Sequence, residues 1–484
     1  MSQFNLLTDA WIPVRWLDGR STRVSLKEAF LQSEAIEDLD CSPPERVSLM
    51  RLLVCLTQRA NPPPEDESEA DWEALRESLV GNVLAYLEQP EISRHFELFG
   101  PGPRFLQRKV ATSKESVPAS KLFPALASGN NATLFDQAGD DANARAFAPA
   151  DLALALLSFQ NFYPLYGAGY KGKGPCVDSN MVHTYFVGKD LLEAIVLACL
   201  DLDSIQIACP QGGLGQPLWE LDDKTAAGKA LATQSYLGRL VPRHRNLWLK
   251  DDGTGFWLEK DSLQYPAYEE IREPSATVVP VPKKAERRLL SARLERALWR
   301  DLHEITVVQA GQSHAPLTLQ VHWEHVLKRT QLWTGALVTD LKAKIINTVE
   351  STRTVPRALF TPEGNTLYQK GMEEAEACSK KLWAAVKNYW ETFKNDSPPI
   401  AQAQSYYWTA LEGHLQLLLD AVASEDKADT ERLRSEWRAV AYTQARAAFQ
   451  RTCPAKTPRQ MKAHMESLNR FRPAKKQPSK KDAA

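Results

Sequence analysis

The chain has 484 residues, of which 43% are hydrophobic and 25% charged, and this composition is typical of a globular protein with one large and one smaller domain. A formal net charge of −1 excludes a generally basic nucleic-acid-binding protein, so any contact with nucleic acid must depend on local patches or on a larger complex. No apolar run approaches the roughly 18 residues of a membrane helix, and the N-terminus lacks a signal-peptide pattern, so we expect a cytoplasmic protein without membrane contact.

The cysteines and histidines predict neither a metal site nor a disulfide framework. The seven cysteines are scattered and never form a CxxC pair. The closest histidines, His314, His322 and His325, lack acidic or cysteine partners at ligand spacing. We therefore expect reduced, mostly buried thiols and no metal or cofactor.

The first hundred residues predict β structure followed by helices. The stretch Phe4–Val14 reads as a strand, and Asp18-Gly19 supplies the tight turn into a second strand. Ser42-Pro43-Pro44-Glu45 forms a capping box, and the leucines after it share one helical face, so we expect a core helix. A proline-rich and acidic loop, Asn61–Asp71, then leads to a helix through Trp72–Leu84.

A long segment without periodicity, Val110–Ala148, follows these helices. Loops of this length inside a compact domain are usually functional or disordered. Leu134 and Phe135 are poor choices for a solvent-exposed loop unless they pack against something. The segment is therefore predicted to be a docking loop.

The stretch Gln160–Pro175 reads QNFYPLYGAGYKGKGP and combines glycines with tyrosines and lysines. Glycine allows close approach of a backbone, lysine meets phosphate, and tyrosine stacks on bases. The formal GxGxxG at Gly167–Gly172 follows a predicted helix, Asp151–Phe159, instead of the strand that a dinucleotide site needs. Gly172-Lys173 is followed by Gly174, so no Walker site replaces it. A nucleic-acid contact and an ordinary surface loop both remain open at this point.

The middle of the chain predicts mixed structure with two basic elements. We expect an apolar helix at Asp190–Cys199, a structural turn-rich element at Pro210–Glu220, and antiparallel strands over Tyr236–Lys260 joined at Asp251–Gly253. The cations expected on the polar faces of these strands are Arg239, Arg243, His244, Arg245, Lys250 and Lys260. Lys283–Arg300 is predicted to be a basic amphipathic helix, which makes a phosphate contact plausible.

Beyond about residue 360 the pattern is helical only. The segments with apolar 3.6-residue periodicity are Leu367–Phe393, Ala401–Ala423, Asp426–Phe449 and Pro458–Phe471. The predicted fold class is α+β, with a large mixed α/β domain over residues 1–360 followed by a C-terminal four-helix bundle over residues 361–484. The basic tail, Arg470–Lys481, is expected to be disordered.

The order and spacing of these elements resemble the CasA family, the large subunit of the type I-E CRISPR surveillance complex, Cascade. The resemblance covers nearly the whole chain. It rests on the opening NLLTDAWIPV, the helix with Leu49–Cys55, Phe105–Gln107, the TLFDQ loop, the YGAGYKGKGP loop and the terminal helices.

This resemblance implies a non-enzymatic DNA-binding and RNA-binding subunit in antiviral defense. Its implied partners are CRISPR guide RNA, the other Cascade subunits, double-stranded target DNA and a recruited helicase-nuclease. The implied activities are recognition of the protospacer-adjacent motif (PAM), help in opening the duplex, and positioning of the helicase-nuclease.

The family's functional positions carry over residue by residue. They are Gly167, Ala168, Gly169 and Tyr170 at the DNA minor groove, Lys260 reaching the PAM, His314, Ala315 and Pro316 at the duplex-splitting wedge, and Leu134, Phe135 and Asp136 at the 5′ handle of the guide RNA. Ala168 stands where a family member can have glycine, and the three wedge residues replace polar family residues. Some relatives carry a cysteine-rich zinc site, whereas this chain has none.

Two other hypotheses are distinguishable by experiment. A nucleotide- or dinucleotide-dependent enzyme using the 167–172 glycine motif predicts binding of NAD or ATP in equilibrium dialysis. A purely architectural subunit predicts normal assembly and a target affinity that does not change when the PAM is mutated.

Overall fold

The computed structural model describes residues 3–65, 68–110, 116–123, 126, 145–163, 174–268, 270–281, 286–308, 315–340, 345–394 and 397–471. The chain divides into two compact units, Met1–Thr354 and Val355–Ala484.

The first unit opens with a three-stranded antiparallel sheet in the order β2-β1-β3. Its strands are β1 (Ile12–Trp16), β2 (Ser21–Val24) and β3 (Ile36–Leu39). The predicted turn is confirmed, with Gly19 at a φ of +86°. The first strand begins at Ile12 and not at Phe4, because the Asn5 backbone N–H donates to Asp9 Oδ2 (2.7 Å) and closes a turn there.

Helices form most of the core of this unit. They are α1 (Leu26–Leu31), α2 (Pro43–Ala60), α3 (Glu69–Glu88), α4 (Pro90–Ser93), α5 (Pro149–Phe162), α6 (Leu191–Val196), α7 (Leu202–Ala208), α8 (Ala226–Gln234) and α9 (Tyr236–Leu240). The predicted capping box at Ser42 and Glu45 is confirmed, and α2 is buried along nearly its whole length. It packs against α3, α5 and α9 and so lies at the centre of the unit.

Three small antiparallel sheets follow in the first unit. Their strands are β4 (Val117–Pro118), β5 (His183–Val187), β6 (Leu247–Leu249), β7 (Gly255–Leu258), β8 (Val278–Pro280), β9 (Arg287–Leu289), β10 (Arg329–Thr339) and β11 (Ile345–Pro356). The sheet orders are β4-β7-β6, β11-β10-β5 and β8-β9. Two short helices, α10 (Leu302–Ile305) and α11 (Leu317–His322), lie between β9 and β10 in the chain.

The predicted basic helix over residues 283–300 is wrong. Arg287–Leu289 is a strand paired with Val278–Pro280, and Leu290 and Ala292 continue in extended backbone by donating to the carbonyls of Thr277 and Asn180. Leu289 is buried beside Val278 in a small apolar cluster, so pairing with a neighbouring strand replaced the local helical periodicity.

The prediction for residues 236–260 is partly wrong. The two strands and their turn at Asp251–Gly253 are present as β6 and β7, but Tyr236–Leu240 is the helix α9. Four of the six cations expected on polar faces are buried, namely Arg239, Arg243, His244 and Arg245. Lys250 is half-buried and Lys260 is exposed.

The second unit is helical. Its helices are α12 (Pro362–Glu391), α13 (Ile400–Glu412), α14 (Leu415–Ala423), α15 (Lys427–Thr452) and α16 (Pro458–Leu468). The segment predicted as one helix over residues 401–423 is divided between α13 and α14. The α+β fold class with a C-terminal helical bundle is confirmed. Most of the basic tail, from residue 472 onward, lies outside the described residues.

Candidate functional site

The two flanks of the glycine-rich segment meet at one point of the fold, which we call the foot of the segment. Gly167, Ala168, Gly169 and Tyr170 lie outside the described residues, but both flanks of their segment are described. The Gly174 N–H donates to the Tyr163 carbonyl, and the Cys176 N–H donates to the Asn161 carbonyl. The donor–acceptor distance is 3.0 Å in each bond. The chain before this segment is the helix α5, so the reason for rejecting a dinucleotide-binding fingerprint is confirmed.

The end of α5 is tied to the chain that precedes β6. The buried Gln160 side chain donates from Nε2 to the Arg245 carbonyl (2.9 Å) and accepts the Arg245 N–H at Oε1 (3.0 Å). The Gln160 carbonyl accepts a hydrogen bond from His244 Nδ1 (2.8 Å). Burial lowers the pKa of His244 to about 3, so its imidazole is neutral with the proton on Nδ1. These bonds fix the position from which the glycine-rich segment starts.

Lys260 belongs to the same hydrogen-bonded network. It is exposed directly after β7, and the residues on either side of it are held by Asn246. The Glu259 N–H donates to the Asn246 carbonyl (3.0 Å), and Asn246 Nδ2 donates to the Asp261 carbonyl (3.2 Å). Asn246 follows Arg245, whose backbone is hydrogen-bonded to the Gln160 side chain at the end of α5. The Lys260 backbone therefore lies close to the foot of the glycine-rich segment.

A second segment, residues 309–314, also has a closed foot. His314 lies outside the described residues, whereas Ala315 and Pro316 are buried at the start of α11. The Ala315 N–H donates to the Val307 carbonyl (3.0 Å), which closes the segment. The Ala315 carbonyl accepts from Gln320 Nε2 (2.6 Å) and from the Arg272 guanidinium. Ala315 and Pro316 therefore anchor this segment and do not present side chains to solvent.

The strand β5 joins these two feet. The His183 ring lies 5.4 Å from the ring of Phe162, and its Nε2 contacts the Cys176 carbonyl (3.3 Å). The Thr184 N–H donates to the Ser275 carbonyl (2.8 Å), and the Thr184 carbonyl accepts from the hydroxyl of Thr318 on α11 (3.4 Å). Burial lowers the pKa of His183 to about 3, so the imidazole in this contact is uncharged near neutral pH.

A third segment, residues 127–144, has its foot on the turn between β6 and β7. Leu134, Phe135 and Asp136 lie outside the described residues. The flanking rings of Phe123 and Phe147 stack with centroids 4.5 Å apart. The Phe147 N–H donates to the carbonyl of Gly253, whose φ of +71° belongs to a turn that favours glycine. Gly253 and Lys260 lie at opposite ends of β7.

The buried cations are structural features that the sequence did not reveal. Arg51 forms a fully buried ion pair with Glu273, and Arg243 forms an ion pair with Asp223. Burial lowers the pKa of Arg239, Arg243 and Arg272 to about 10, so all three stay protonated near neutral pH. Most of their carbonyl and carboxylate partners lie 20 or more residues away in the chain, as in the bonds from Arg239 to the Pro266 carbonyl and from Arg272 to the Ala315 carbonyl, and nothing local in the sequence indicates them.

The described residues contain no group of three or more His, Cys, Asp or Glu side chains arranged to hold a metal ion. Within the same described ranges, no helix combines the length and apolar character needed to cross a membrane.

Comparison with known proteins gives consistent matches. The chain matches the family model of CRISPR-associated protein Cse1 over residues 5–448. It is 28% identical over 402 residues to the CRISPR-associated protein CasA/Cse1 of Thermus thermophilus, a match of 79% of this chain and 77% of that relative. The crystal structure of Thermus thermophilus CasA is similar with a TM-score of 0.77 at 22% identity, covering 97% of this chain and 98% of that chain.

A chain of a solved CRISPR RNA-guided surveillance complex is similar with a TM-score of 0.73 at 18% identity. This match covers 97% of the present chain and 100% of the other. At these identities, the two structural matches show a shared fold.

Proposed function

Because this chain belongs to the CRISPR-associated Cse1 family, we propose that it is the large, non-enzymatic subunit of a type I-E CRISPR RNA-guided surveillance complex. Its proposed partners are the guide RNA, the other subunits of the complex, a double-stranded DNA target and a recruited helicase-nuclease that it positions. The family match over most of the chain supports the assignment to a complex of this kind.

The proposed specific activity is recognition of the PAM in duplex DNA by the segment with Gly167–Tyr170 together with Lys260. The observation that supports this proposal is the network through Gln160, Arg245 and Asn246, which ties the helix end before the glycine-rich segment to the backbone beside Lys260. The minor groove presents few distinguishing groups, so a reader there depends on groove shape and on close backbone approach. The protein then reads only the short PAM, and the guide RNA reads the longer target sequence by base pairing.

Duplex opening is proposed for the segment that ends at His314. Its foot is closed by the Ala315 N–H and anchored by α11, and β5 connects that foot to the foot of the glycine-rich segment. In this proposal Ala315 and Pro316 hold the wedge in place, and His314 is the member of the three that meets the base pairs. In this proposal the wedge acts beside the reading loop, where the first target base pairs must separate.

Contact with the guide RNA is proposed for Leu134, Phe135 and Asp136. Their segment starts and ends beside the β6–β7 turn, where Phe123 and Phe147 stack. The stacked pair provides a rigid base for a segment whose apolar residues would bind a partner more favourably than solvent.

Replacing Gly169 with Asp tests the reading loop. The change adds a side chain and a negative charge where backbone should meet phosphate, and such a charge costs on the order of 1 kcal/mol even when solvated. With the steric term, binding of a duplex with the correct PAM to the assembled complex should fall about tenfold or more. Assembly with guide RNA and the melting temperature should stay close to wild type.

Gly81→Asp is the matched control, because a Cβ at the exposed Gly81 would meet no atom within 4 Å. If Gly169→Asp and Gly81→Asp bind correct and scrambled PAM targets as wild type does, the loop does not read the PAM. An affinity that is the same for both targets in the wild type would instead support an architectural subunit.

Lys260→Ala tests the second element of the proposed reader. Losing one contact with a phosphate or groove releases fewer counterions, so the plot of log affinity against log salt should become shallower by up to about 0.9. Lys224→Ala removes an exposed lysine elsewhere in the first unit and should leave the slope unchanged. A wild-type slope for Lys260→Ala would remove Lys260 from the proposed site.

A further inference from the structure

The strand β11 forms one edge of the three-stranded sheet β11-β10-β5. In its neighbour β10, every residue except Arg329 and Gln331 is buried. In β11, by contrast, no residue before Val355 is buried, although the two strands have nearly the same length. Among the described residues the sheet therefore ends at β11, and the side of β11 that faces away from β10 has no neighbouring strand.

The other sheet edges in the described part of the first unit are covered or short. The outer side of β5 is bonded to the chain before β8, where the Thr184 N–H donates to the Ser275 carbonyl (2.8 Å). The outer side of β6 is covered in the same way, since the Arg108 N–H donates to the Leu247 carbonyl (3.1 Å). The strands β2, β3, β4, β8 and β9 have only two to four residues each. Within the described ranges, β11 alone is both long and open.

Alternate backbone groups of β11 point away from β10. Five residues separate the two strands, so they pair antiparallel. The Thr334 hydroxyl on β10 donates to the Ser351 carbonyl (3.1 Å), which shows that this carbonyl faces β10. Residues of an antiparallel pair alternate between those that bond to the partner strand and those that do not. The N–H and C=O groups of Glu350 and Thr352 therefore point outward.

These outward groups have no strand to bond with. Outside the pairing with β10, no backbone–backbone hydrogen bond joins residues 345–354 to another described residue. The Thr348 N–H, which points outward by the same alternation, donates to the side chain of the preceding residue, at Asn347 Oδ1 (2.9 Å). That side chain replaces the carbonyl of an adjacent strand. At about 3.4 Å per residue, the open edge extends over roughly 27 Å.

The sequence of β11 favours the addition of a strand. Seven of its twelve residues are β-branched, and its charges are limited to Glu350 and Arg353. Ile346 is 49% exposed. Edge strands that remain free are usually short or carry lysine or proline, which discourage pairing with another chain. β11 has no lysine, and its one proline, Pro356, is its last residue. It is therefore a template for pairing.

The chemistry of this edge selects an extended polypeptide as its partner. Outward N–H and C=O groups require acceptors and donors at the same spacing, which another strand supplies. A row of phosphates has no donors for the carbonyls, and the exposed Glu350 would repel it. A free edge of this length also invites aggregation, so a partner that stays bound fits it better than one that is recruited temporarily.

We propose that β11 is a docking edge, to which another subunit of the surveillance complex adds a fourth strand through an extended segment. The choice of a subunit as partner rests on the proposed function, whereas the need for an extended polypeptide rests on the edge itself. Backbone hydrogen bonds supply the affinity of this contact, and the alternating side chains of the added strand set its register.

Thr352→Pro tests the proposal, because it removes an outward N–H that the pairing with β10 does not use. Proline is tolerated on an edge strand when its nitrogen faces solvent, but it cannot donate to a strand added on that side. The melting temperature of the isolated variant should stay within a few degrees of wild type. Its affinity for the complex formed by the guide RNA and the other subunits should fall about tenfold or more.

Two matched variants control this measurement. Thr352→Ala keeps the outward N–H and should join the complex as wild type does. Ser351→Pro removes an N–H that bonds to β10, so it should lower the melting temperature markedly. If Thr352→Pro lowers the melting temperature as much as Ser351→Pro does, the assigned outward direction is wrong and the proposal is overturned.

Hydrogen–deuterium exchange over residues 345–354 gives a second readout. In the isolated wild-type chain the outward amides should exchange fast, and in the assembled complex they should exchange at least about tenfold more slowly. Exchange that is equally fast in the assembled complex would overturn the proposal and leave the proposed function intact. Slow exchange in the isolated chain that depends on its concentration would show pairing with a second copy, which also overturns it.

The proposed function fails in a different way. If the wild-type chain does not join the guide RNA and the other subunits, both the proposed function and the partner assigned to β11 are wrong. If the wild type joins them and Thr352→Pro joins them with the same affinity, only the docking edge is wrong.

Discussion

Gly174 lies where the chain returns from the glycine-rich segment to the end of α5, and its α-carbon leaves no room for a side chain. A Cβ at this position would come within 2.1 Å of the Asn161 carbonyl oxygen. That carbonyl also accepts the Cys176 N–H. A single residue therefore controls whether the two ends of this segment can close against each other.

Gly174→Ala should separate these two ends and strain the backbone of Asn161. We expect the free energy of unfolding to fall by about 1–3 kcal/mol, the range typical of overpacking in a close-packed site. Duplex binding should weaken as well. Gly81→Ala, in α3 with open space around it, should instead stabilise by about 0.5–1 kcal/mol because alanine favours a helix. Chemical denaturation followed by tryptophan fluorescence measures both, and equal stability of the two variants would contradict the geometry.

The buried imidazole of His244 predicts a dependence of stability on pH. Burial lowers its pKa from 6.5 to about 3, so as pH falls below 6.5 the unfolded chain binds a proton that the folded chain does not. The stability that His244 contributes is therefore complete above pH 6.5 and decreases as pH falls toward 3. At about pH 5 the decrease should be on the order of 2 kcal/mol.

His244→Gln tests this assignment, since glutamine can still donate to the Gln160 carbonyl. The variant should lose about 2 kcal/mol less stability than wild type between about pH 7.5 and pH 5. His325→Gln, at an exposed position, should lose as much as wild type over the same range. Parallel pH profiles for wild type and His244→Gln would show that His244 is not the residue responsible.

At the scale of elements, the residues that flank three of the segments outside the described ranges are held together by contacts of their own, the feet of those segments. The feet are the Gly174 bond to Tyr163, the Ala315 bond to Val307 and the ring stack of Phe123 on Phe147. Each foot is attached to a strand or helix with its own buried face. Changes within a segment should therefore affect binding more than folding, because the feet remain intact.

Deleting Leu134–Asp136 tests this separation for the third segment. Incorporation into the complex with guide RNA should weaken, while the melting temperature of the isolated chain should remain within a few degrees of wild type. Deleting Gly139–Asp141 shortens the same segment by the same length and should have a smaller effect on assembly. A marked fall in melting temperature together with normal assembly would place Leu134–Asp136 in the core.

At the scale of the whole molecule, the second unit has a core of its own. Trp437 Nε1 donates to the Gly371 carbonyl (2.8 Å), and the Tyr407 hydroxyl donates to the Ala375 carbonyl (2.8 Å). Tyr389 extends this set by donating to the Pro454 carbonyl (2.6 Å). The buried polar groups of these aromatic side chains thus find their partners within the unit, as a separately folding domain requires.

The fragment Val355–Phe471 should therefore fold independently. We expect a helical far-ultraviolet circular dichroism spectrum and a cooperative thermal transition. Trp437→Ala should abolish cooperativity, because it removes the largest buried ring of this unit and the additional hydrogen bond that this ring donates to the Gly371 carbonyl. A fragment that is helical but melts without a transition would show that its packing depends on the first unit. Proteolysis at Pro362–Asn365 is not a suitable alternative, since these residues form the first turn of α12.

Local signals in the sequence were sufficient for many of the elements. The capping box at Ser42 and the turn at Gly19 are set by short-range hydrogen bonds and backbone freedom, which neighbouring residues determine. The helical bundle follows from apolar periodicity over long segments. The division between α13 and α14 was not evident, because Gly413 and His414 interrupt a periodicity that otherwise continues on both sides.

By itself the sequence determined the first tight turn, the helices α2 and α3, the C-terminal helices, the fold class and the resemblance to a family, because these depend on periodicity, caps and spacing along the chain. It did not predict the strands β5 and β8 to β11, which are stabilised by pairing between distant segments. Tertiary structure alone decided that Arg239, Arg243 and Arg245 are buried and that Arg287 and Arg288 lie on an exposed ribbon. The same residue type can be enclosed or solvated, and the outcome depends on carbonyls, carboxylates and strands contributed by distant parts of the chain.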